Sequence, residues 1–351
     1  MEYKTGYNLD SLRQRSKLTI LGVESSCDET SAAVVVCGTE VLSNVIATQI
    51  DIHRRFGGVV PEIASRNHTL QIRPVVEEAL SKAGKRLEDI DAFAVTYGAG
   101  LVGALLVGVS FTKALAYAEQ KPLVAVNHIQ GHIAANYIAH SDLKPPYLCL
   151  VVSGGHTALV MVKGYTDLEI IGETVDDACG EAFDKVARIL GLPYPGGPEI
   201  ERLAREGKAC IDLPRPLKND KHFNFSYSGL KTAVINYVHN AEARKETFNK
   251  ADVAASFQSA AVELLTDAAE RAARKFGLDE IVVAGGVSAN GYLREEFKKR
   301  FDRVYFPELK LCTDNAAMIA AAAYYQIMSG GKAAELTLNA EPGLRLNEII
   351  R

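Results

Sequence analysis

Residues 18–36 read LTILGVESSCDETSAAVVV, and the way this stretch is parsed decides the fold. An apolar run is followed by the polar segment ESSCDET (24–30) and then by a second apolar run, which is the pattern of a strand, a tight loop and a returning strand. The same device returns at 147–162, YLCLVVSGGHTALVMV, where SGGHT forms the turn between two β-branched runs. After each hairpin come helical patterns, such as ASRNHTLQIRPVVEEALSKAG (64–84), and short buried-strand patterns: DAFAVTY (91–97), IVVAGGV (281–287) and VYFPEL (304–309). An α/β chain built from two comparable halves is expected. No shorter period marks a solenoid or propeller.

The expected boundaries are a tail over 1–17, a first lobe over 18–125 and a second over 126–314. A C-terminal helix, 315–351, returns to complete the first lobe. It starts in CTDNAAMIAAAAYYQIMSGG (312–331), with Thr313 or Asp314 as its N-cap.

At 351 residues the chain suits two lobes, and 48% hydrophobic with 23% charged residues is ordinary for a globular protein. A net charge of −4 gives no global pull toward nucleic acid, so any RNA contact must come from local basic clusters. HRR (53–55), ARKET (243–247) and REEFKKRFDR (294–303) are such clusters, although solvated faces are the simpler reading of each. The six cysteines form no C-x-x-C pair and read as reduced structural thiols of a cytoplasmic protein. The N-terminus lacks an apolar signal region. The run GAGLVGALLVGVSFTKALAYA (98–118) is broken by Lys113 before it reaches spanning length, and reads as a glycine-rich buried helix.

Chemistry is suggested first by NHIQGHI (127–133). His128 and His132 are four residues apart, so on a helix both imidazoles share a face and can reach one cation. A zinc protease would need a glutamate directly after the first histidine, where Ile129 stands. Two ligands do not make a site, so the pair could equally be ordinary helix histidines unless a third ligand comes from elsewhere. Three glycine-rich turns, SGGHT (153–157), YPGGPEIERLA (194–204) and VVAGGVSANGYLREEF (282–297), together with the CDET turn, suggest a nucleotide cleft. None of them matches the P-loop or dinucleotide fingerprints.

Hairpins of this kind in two lobes resemble the superfamily of actin, sugar kinases and the 70-kDa heat-shock chaperones. Eight blocks narrow the match: GVESSCDETSAAVV, HRRFGGVVPEIASRNH, NHIQGHI, VVSGGHTALV, DDACGEAFDKVARILGLPYPGGP, FSYSGLKTAV, AGGVSAN and CTDNAAMIA. In order from Gly22 to Ala320, they resemble the bacterial TsaD family, once called O-sialoglycoprotein endopeptidase. The resemblance implies an actin-like two-lobed fold. It also implies transfer of a threonylcarbamoyl group from threonylcarbamoyl-adenylate to the exocyclic amine of the adenosine next to the tRNA anticodon, without a covalent enzyme intermediate.

Carried over onto this chain, the resemblance makes His128, His132 and Asp314 ligands of one divalent ion, Fe2+ or Zn2+. It assigns Val151, Val152, Ser153, Gly154, Gly155, Asp184, Gly197, Glu201 and Asn290 to the adenylate, and makes Asp28 and Glu29 candidate catalytic carboxylates. A plain helix carboxylate is the alternative for Asp184, a helix N-cap for Asn290 and a turn aspartate for Asp28. Implied partners are tRNA, a paralogous TsaB-like subunit, a TsaE-like P-loop ATPase and a separate enzyme that makes the adenylate. A homodimer in isolation and no membrane partner are also expected.

Ala99 replaces a common proline and Tyr227 a common phenylalanine of the family. Val151 stands where the archaeal and eukaryotic branch has a ligating tyrosine. The rival readings are a superfamily kinase or ATPase using Asp28 with magnesium, and a non-catalytic scaffold paralogue.

Overall fold

The computed structural model describes residues 7, 9–218 and 221–346. Its strands are β1 (Thr19–Glu24), β2 (Glu29–Val36), β3 (Glu40–Thr48), β4 (Ala92–Gly98), β5 (Leu123–Asn127), β6 (Tyr147–Val152), β7 (Thr157–Val162), β8 (Leu168–Glu173), β9 (Glu280–Ala284) and β10 (Arg303–Tyr305). The helices are α1 (Asp10–Arg13), α2 (Ile50–His53), α3 (Pro61–Ala83), α4 (Val102–Glu119), α5 (His128–Ala139), α6 (Cys179–Ile189), α7 (Gly196–Ala204), α8 (Ser228–Ala243), α9 (Lys250–Phe276), α10 (Gly291–Arg300) and α11 (Ala316–Met328).

The strands form two five-stranded sheets of identical topology, β3-β2-β1-β4-β5 and β8-β7-β6-β9-β10. In each, the first three strands run as an antiparallel meander and the last two lie parallel to the first. The two similar hairpins of the sequence therefore occupy equivalent places, with Gly22 opposite Ala33 in one and Leu150 opposite Leu159 in the other. The central strands β1 and β6 are buried along their whole length, which is why they read as unbroken apolar runs. The edge strands β3 and β8 are only partly buried.

Between the sheets lie α5 and α11. The alanines of α11 let it approach β1 closely, and nearly all of it is buried, as expected of a helix packed on several sides. Outside them, α3 and α4 cover the first sheet, and α6, α8 and α9 cover the second. The apolar helix α4 is long and apolar enough to span a bilayer, yet it lies against the first sheet through Val109 and Ala116. Expected to be buried, it instead leaves Val102, Leu106 and Tyr117 exposed.

Two expectations are corrected. The final helix does not run over 315–351: α11 stops at Met328, where Gly330 takes a positive φ of 91°. The chain then returns to the first lobe as irregular backbone, with Ala334 N–H donating to Leu123 and Glu341 N–H donating to Tyr97. Residues 347–351 lie outside the described residues. Nor is 9–17 a free tail. Leu9 and Leu12 are buried in the central core, and Arg13 donates to the carbonyls of Ile327 and Gly331 at the end of α11. Two apolar residues within a charged segment are enough to dock it, and that signal is too short for periodicity to report.

Candidate metal centre and nucleotide cleft

The centre forms where β5 becomes α5. The Asn127 side chain caps the helix, accepting from Ile129 N at 2.8 Å and Gln130 N at 3.3 Å. This cap fixes His128 in the first turn and His132 one turn later on the same face, their rings edge-on with centroids 4.7 Å apart. The third group enters from the loop before α11. Asn315 caps that helix, not Thr313 or Asp314: its carbonyl oxygen accepts from Met318 N at 3.1 Å. The Asp314 carboxylate is thereby left free to lie 3.4 Å from His128 Nε2 and 3.3 Å from His132 Nε2.

One ligand atom from each of the three residues lies within 4.8 Å of the others. His132 is 1% exposed, and neither of its ring nitrogens has an aligned hydrogen bond. A buried imidazole unsatisfied at both nitrogens is costly, and two nitrogens converging with a carboxylate oxygen fit a divalent cation. Although burial alone would raise it, the neighbouring His128 and His132 hold the Asp314 carboxyl far below the usual carboxylate range. Burial likewise opposes the His128 charge, but Asp314 and Glu24 together raise its proton affinity well above that of a free histidine.

Glu24 was not anticipated from the sequence. The last residue of β1 and fully buried, it places Oε2 3.0 Å from His128 Nδ1 and accepts from Thr96 Oγ1 at 2.7 Å. Its other oxygen accepts from Ser26 N at 2.5 Å. The His128 charge keeps Glu24 ionised against the cost of burial. A carboxylate accepting from Nδ1–H fixes the ring with Nε2 aimed at the Asp314 side, the nitrogen that a cation would take in exchange for its proton. A glutamate ending an apolar strand was the available signal. Glu24→Gln is expected to weaken zinc or iron binding by about 10–100-fold, read by metal titration of the folded protein.

The first hairpin turn lies beside this centre. Asp28 is buried and Glu29 partly so. His68 clamps the turn, its Nε2–H donating to Cys27 O at 2.9 Å and its Nδ1 accepting from Thr30 Oγ1 at 2.7 Å. Burial keeps His68 neutral, as that pairing requires. Burial, then the charges of Asp28 and Asp314, push Glu29 up to about 10. The folded metal-free protein thus holds a proton that the unfolded chain releases above its ordinary pKa of about 4.3. This group's contribution to stability therefore declines as pH rises from there toward 10. Glu29→Gln is expected to stabilise the metal-free protein at pH 8 relative to pH 5, raising Tm by roughly 2 °C per kcal/mol recovered, as read by thermal melts at both pH values.

On the second lobe, Gly154 and Gly155 in the SGG turn, Gly197 and Gly286 have no atom within 4 Å of where a Cβ would stand, so four backbones lie open to a ligand. The side chains of Val151 and Val152 are buried in the cores on opposite faces of β6, so a ligand could meet only their backbone. Ser153 is buried, and its Oγ accepts from His156 N at 3.2 Å. His156, absent from the expected set, is kept neutral by burial and by the nearby His128 and His132, its pKa lowered to about 4.

Asp184 accepts from Gly196 N at 2.6 Å, tying α6 to the start of α7. Glu201 accepts from Gly291 N at 3.1 Å and pairs with Arg205. Asn290 caps α10 by accepting from Leu293 N at 2.8 Å, while its amide donates to Gln258 at 2.9 Å. These three side chains join the walls of the cleft to one another. A cavity of about 490 Å³ opens beside Glu201 and Gly291, lined also by Arg205, Gln258 and Tyr292.

Comparison with known proteins places this geometry. The family model "TsaD: tRNA N6-adenosine threonylcarbamoyltransferase" matches residues 40–321. A tRNA N6-adenosine threonylcarbamoyltransferase of Clostridium perfringens (strain ATCC 13124) is 58% identical over 337 residues, 95% of this chain and 99% of that protein. Its namesake in Clostridium kluyveri (strain ATCC 8527) is 57% identical, covering 94% and 98%. Among solved structures, HypF of T. kodakarensis has a TM-score of 0.60 at 14% identity, covering 89% of this chain and 48% of that one. Component A of the Acidaminococcus fermentans (R)-2-hydroxyglutaryl-CoA dehydratase has a TM-score of 0.54 at 13% identity, covering 88% and 99%. At such identities these structures show the fold, the two-lobed actin-like ATPase architecture.

Proposed function

The chain belongs to the TsaD family of tRNA N6-adenosine threonylcarbamoyltransferases, and from that premise we propose how its cleft performs the transfer. The protein is an acyltransferase that modifies tRNA, and the kinase and scaffold readings are not favoured. In our reading the donor is threonylcarbamoyl-adenylate, a mixed anhydride whose leaving group is AMP. The acceptor is N6 of the adenosine next to the anticodon, in tRNAs reading codons that start with A. N6 attacks the carbonyl carbon, the carbon–oxygen bond to phosphate breaks, AMP departs and N6 gives up a proton. We assign that proton to Asp28, since Glu29 beside it already holds its own.

The observation that carries the reading is the convergence of His128, His132 and Asp314 on one point, with His156 of the SGGHT turn close enough to feel the charges of all three. A divalent cation on these residues, Fe2+ or Zn2+ by its mixed donors, would supply Lewis-acid polarisation of the donor's carbonyl oxygen. The chain's own part is positioning. Glu24 sets the His128 tautomer, His68 holds the Asp28 turn, and the Gly154 and Gly155 backbones offer N–H groups to the adenylate phosphate.

A TsaB-like subunit, a TsaE-like P-loop ATPase and a separate adenylate-forming enzyme complete the proposed system, working in the cytoplasm. The test is to incubate the protein with adenylate, tRNA, metal and these partners and to measure modified adenosine by mass spectrometry. Modified nucleoside is expected; none from the fully supplied wild type would sink the reading.

A further inference from the structure

With a net charge of −4, the chain must hold RNA through local features, and one of them stands at the lip of the cleft. The turn after α2, residues 54–58, reads RRFGG. It is built onto the site from two sides. Behind it, Gln49 N–H donates to Asp28 O at 3.1 Å and Thr48 Oγ1 donates to Glu29 Oε1 at 3.1 Å, so the segment is fixed to the turn of the candidate base. Ahead of it, Arg54 Nε donates across the cleft to Tyr194 O at 3.1 Å, beside the glycines at 196–197. The fully buried His53 anchors it, accepting from Val60 N on Nδ1 and from Gly58 N on its carbonyl.

What the turn presents outward is unusual for a connecting loop. Phe56 is 57% exposed. Gly57 and Gly58 both take positive φ, and a Cβ on either would meet nothing within 4 Å, so the backbone beside the ring is open. Of the neighbouring charges, Arg54 pairs with Asp51 and Arg66 with Glu62. The exposed Arg55 has no ion pair or hydrogen bond among the described residues. An exposed ring, an uncommitted guanidinium and open backbone are the equipment of a single-stranded RNA site. There a base stacks on an aromatic face and an arginine meets the adjoining phosphate.

We propose that Arg55 and Phe56 form the RNA-positioning platform of this enzyme. Phe56 stacks on a nucleotide flanking the target adenosine in the anticodon loop, and Arg55 contacts a neighbouring phosphate. The proposal rests on the transferase reading above and adds the surface by which the RNA is held. Unstacking the loop on Phe56 leaves the target adenosine free to turn toward the metal centre, which a paired and stacked base could not do.

The test uses the full chain with its partner proteins and a fluorescent anticodon stem-loop, with affinity followed by anisotropy across a range of salt. Phe56→Ala should weaken binding roughly tenfold at every salt concentration, while Phe56→Tyr should retain wild-type affinity. Arg55→Ala should lower the salt slope by roughly 0.7, the value for one phosphate contact on a single strand. All three variants should bind AMP as the wild type does. Unchanged RNA affinity in both alanine variants would overturn the platform, as would a loss of AMP binding equal to the loss of RNA binding, which would indicate a distorted cleft. A wild type that binds the stem-loop but modifies no tRNA would count against the transferase reading instead, leaving the two failures distinguishable.

Discussion

Asp314→Ala should abolish tight metal binding and lower threonylcarbamoyl transfer more than a hundredfold while leaving the fold intact. Losing an orienting partner of a ligand typically costs 10–100-fold, and losing the ligand itself should cost more. The carboxylate is the only anionic member of the three, and it lies within 3.4 Å of both histidines. Without it, two imidazoles, one of them already turned toward Glu24, would have to hold the ion alone. Asp314 is also partly exposed and plays no part in capping α11, so its truncation leaves the hydrogen bonds of the helix start in place. The measurement is metal content and affinity beside single-turnover transfer to tRNA, with circular dichroism as the check on folding. An alanine variant that bound metal as the wild type does would remove Asp314 from the centre.

Gly22→Ala should destabilise the protein by about 2 kcal/mol or more. A Cβ at Gly22 would lie 2.5 Å from Ala316 O and 2.9 Å from Ala320 N, both of them backbone atoms of the buried α11. Neither can turn aside as a side chain would, so the helix must move away from β1. Its first turn is tied to the sheet by Ala316 N–H donating to Ser31 Oγ at 2.9 Å, and Asp314 lies just before that turn. The substitution should therefore lower Tm by several degrees and weaken metal binding together. Gly84→Ala is the contrast. Its φ is +62° but nothing stands near its Cβ, so it should cost only the left-handed strain of about 1 kcal/mol and leave metal affinity alone. Thermal melts of the three proteins with and without zinc would show whether the two effects separate.

The duplicated lobe was legible in the sequence because the hairpins at 18–36 and 147–162 are local objects. Strand, turn and strand lie within one span, and burial on both faces of β1 and β6 writes itself as an apolar run. The pairing of His128 with His132 was legible for the same reason, since one helical turn is a distance measured along the chain. Asp314 joined them at the sequence level only through the family resemblance.

What the tertiary structure alone decided are contacts between segments far apart in the chain. Glu24 could be recognised as the partner of His128 only once β1 and β5 were seen to flank β4 in one sheet. That Asn315 takes the cap of α11, leaving Asp314 to the histidines, depends on where α11 wedges between the lobes. The docking of Leu9 and Leu12 in the central core, and the return of the C-terminal segment to bury Ala334, Leu338 and Leu344 against the first sheet, rest on surfaces that exist only once the strands have assembled. Periodicity reports which side chains share a face of one element. Which faces meet is fixed by the packing of whole lobes, where the closeness of β1 to α11 at Gly22 admits no side chain at all.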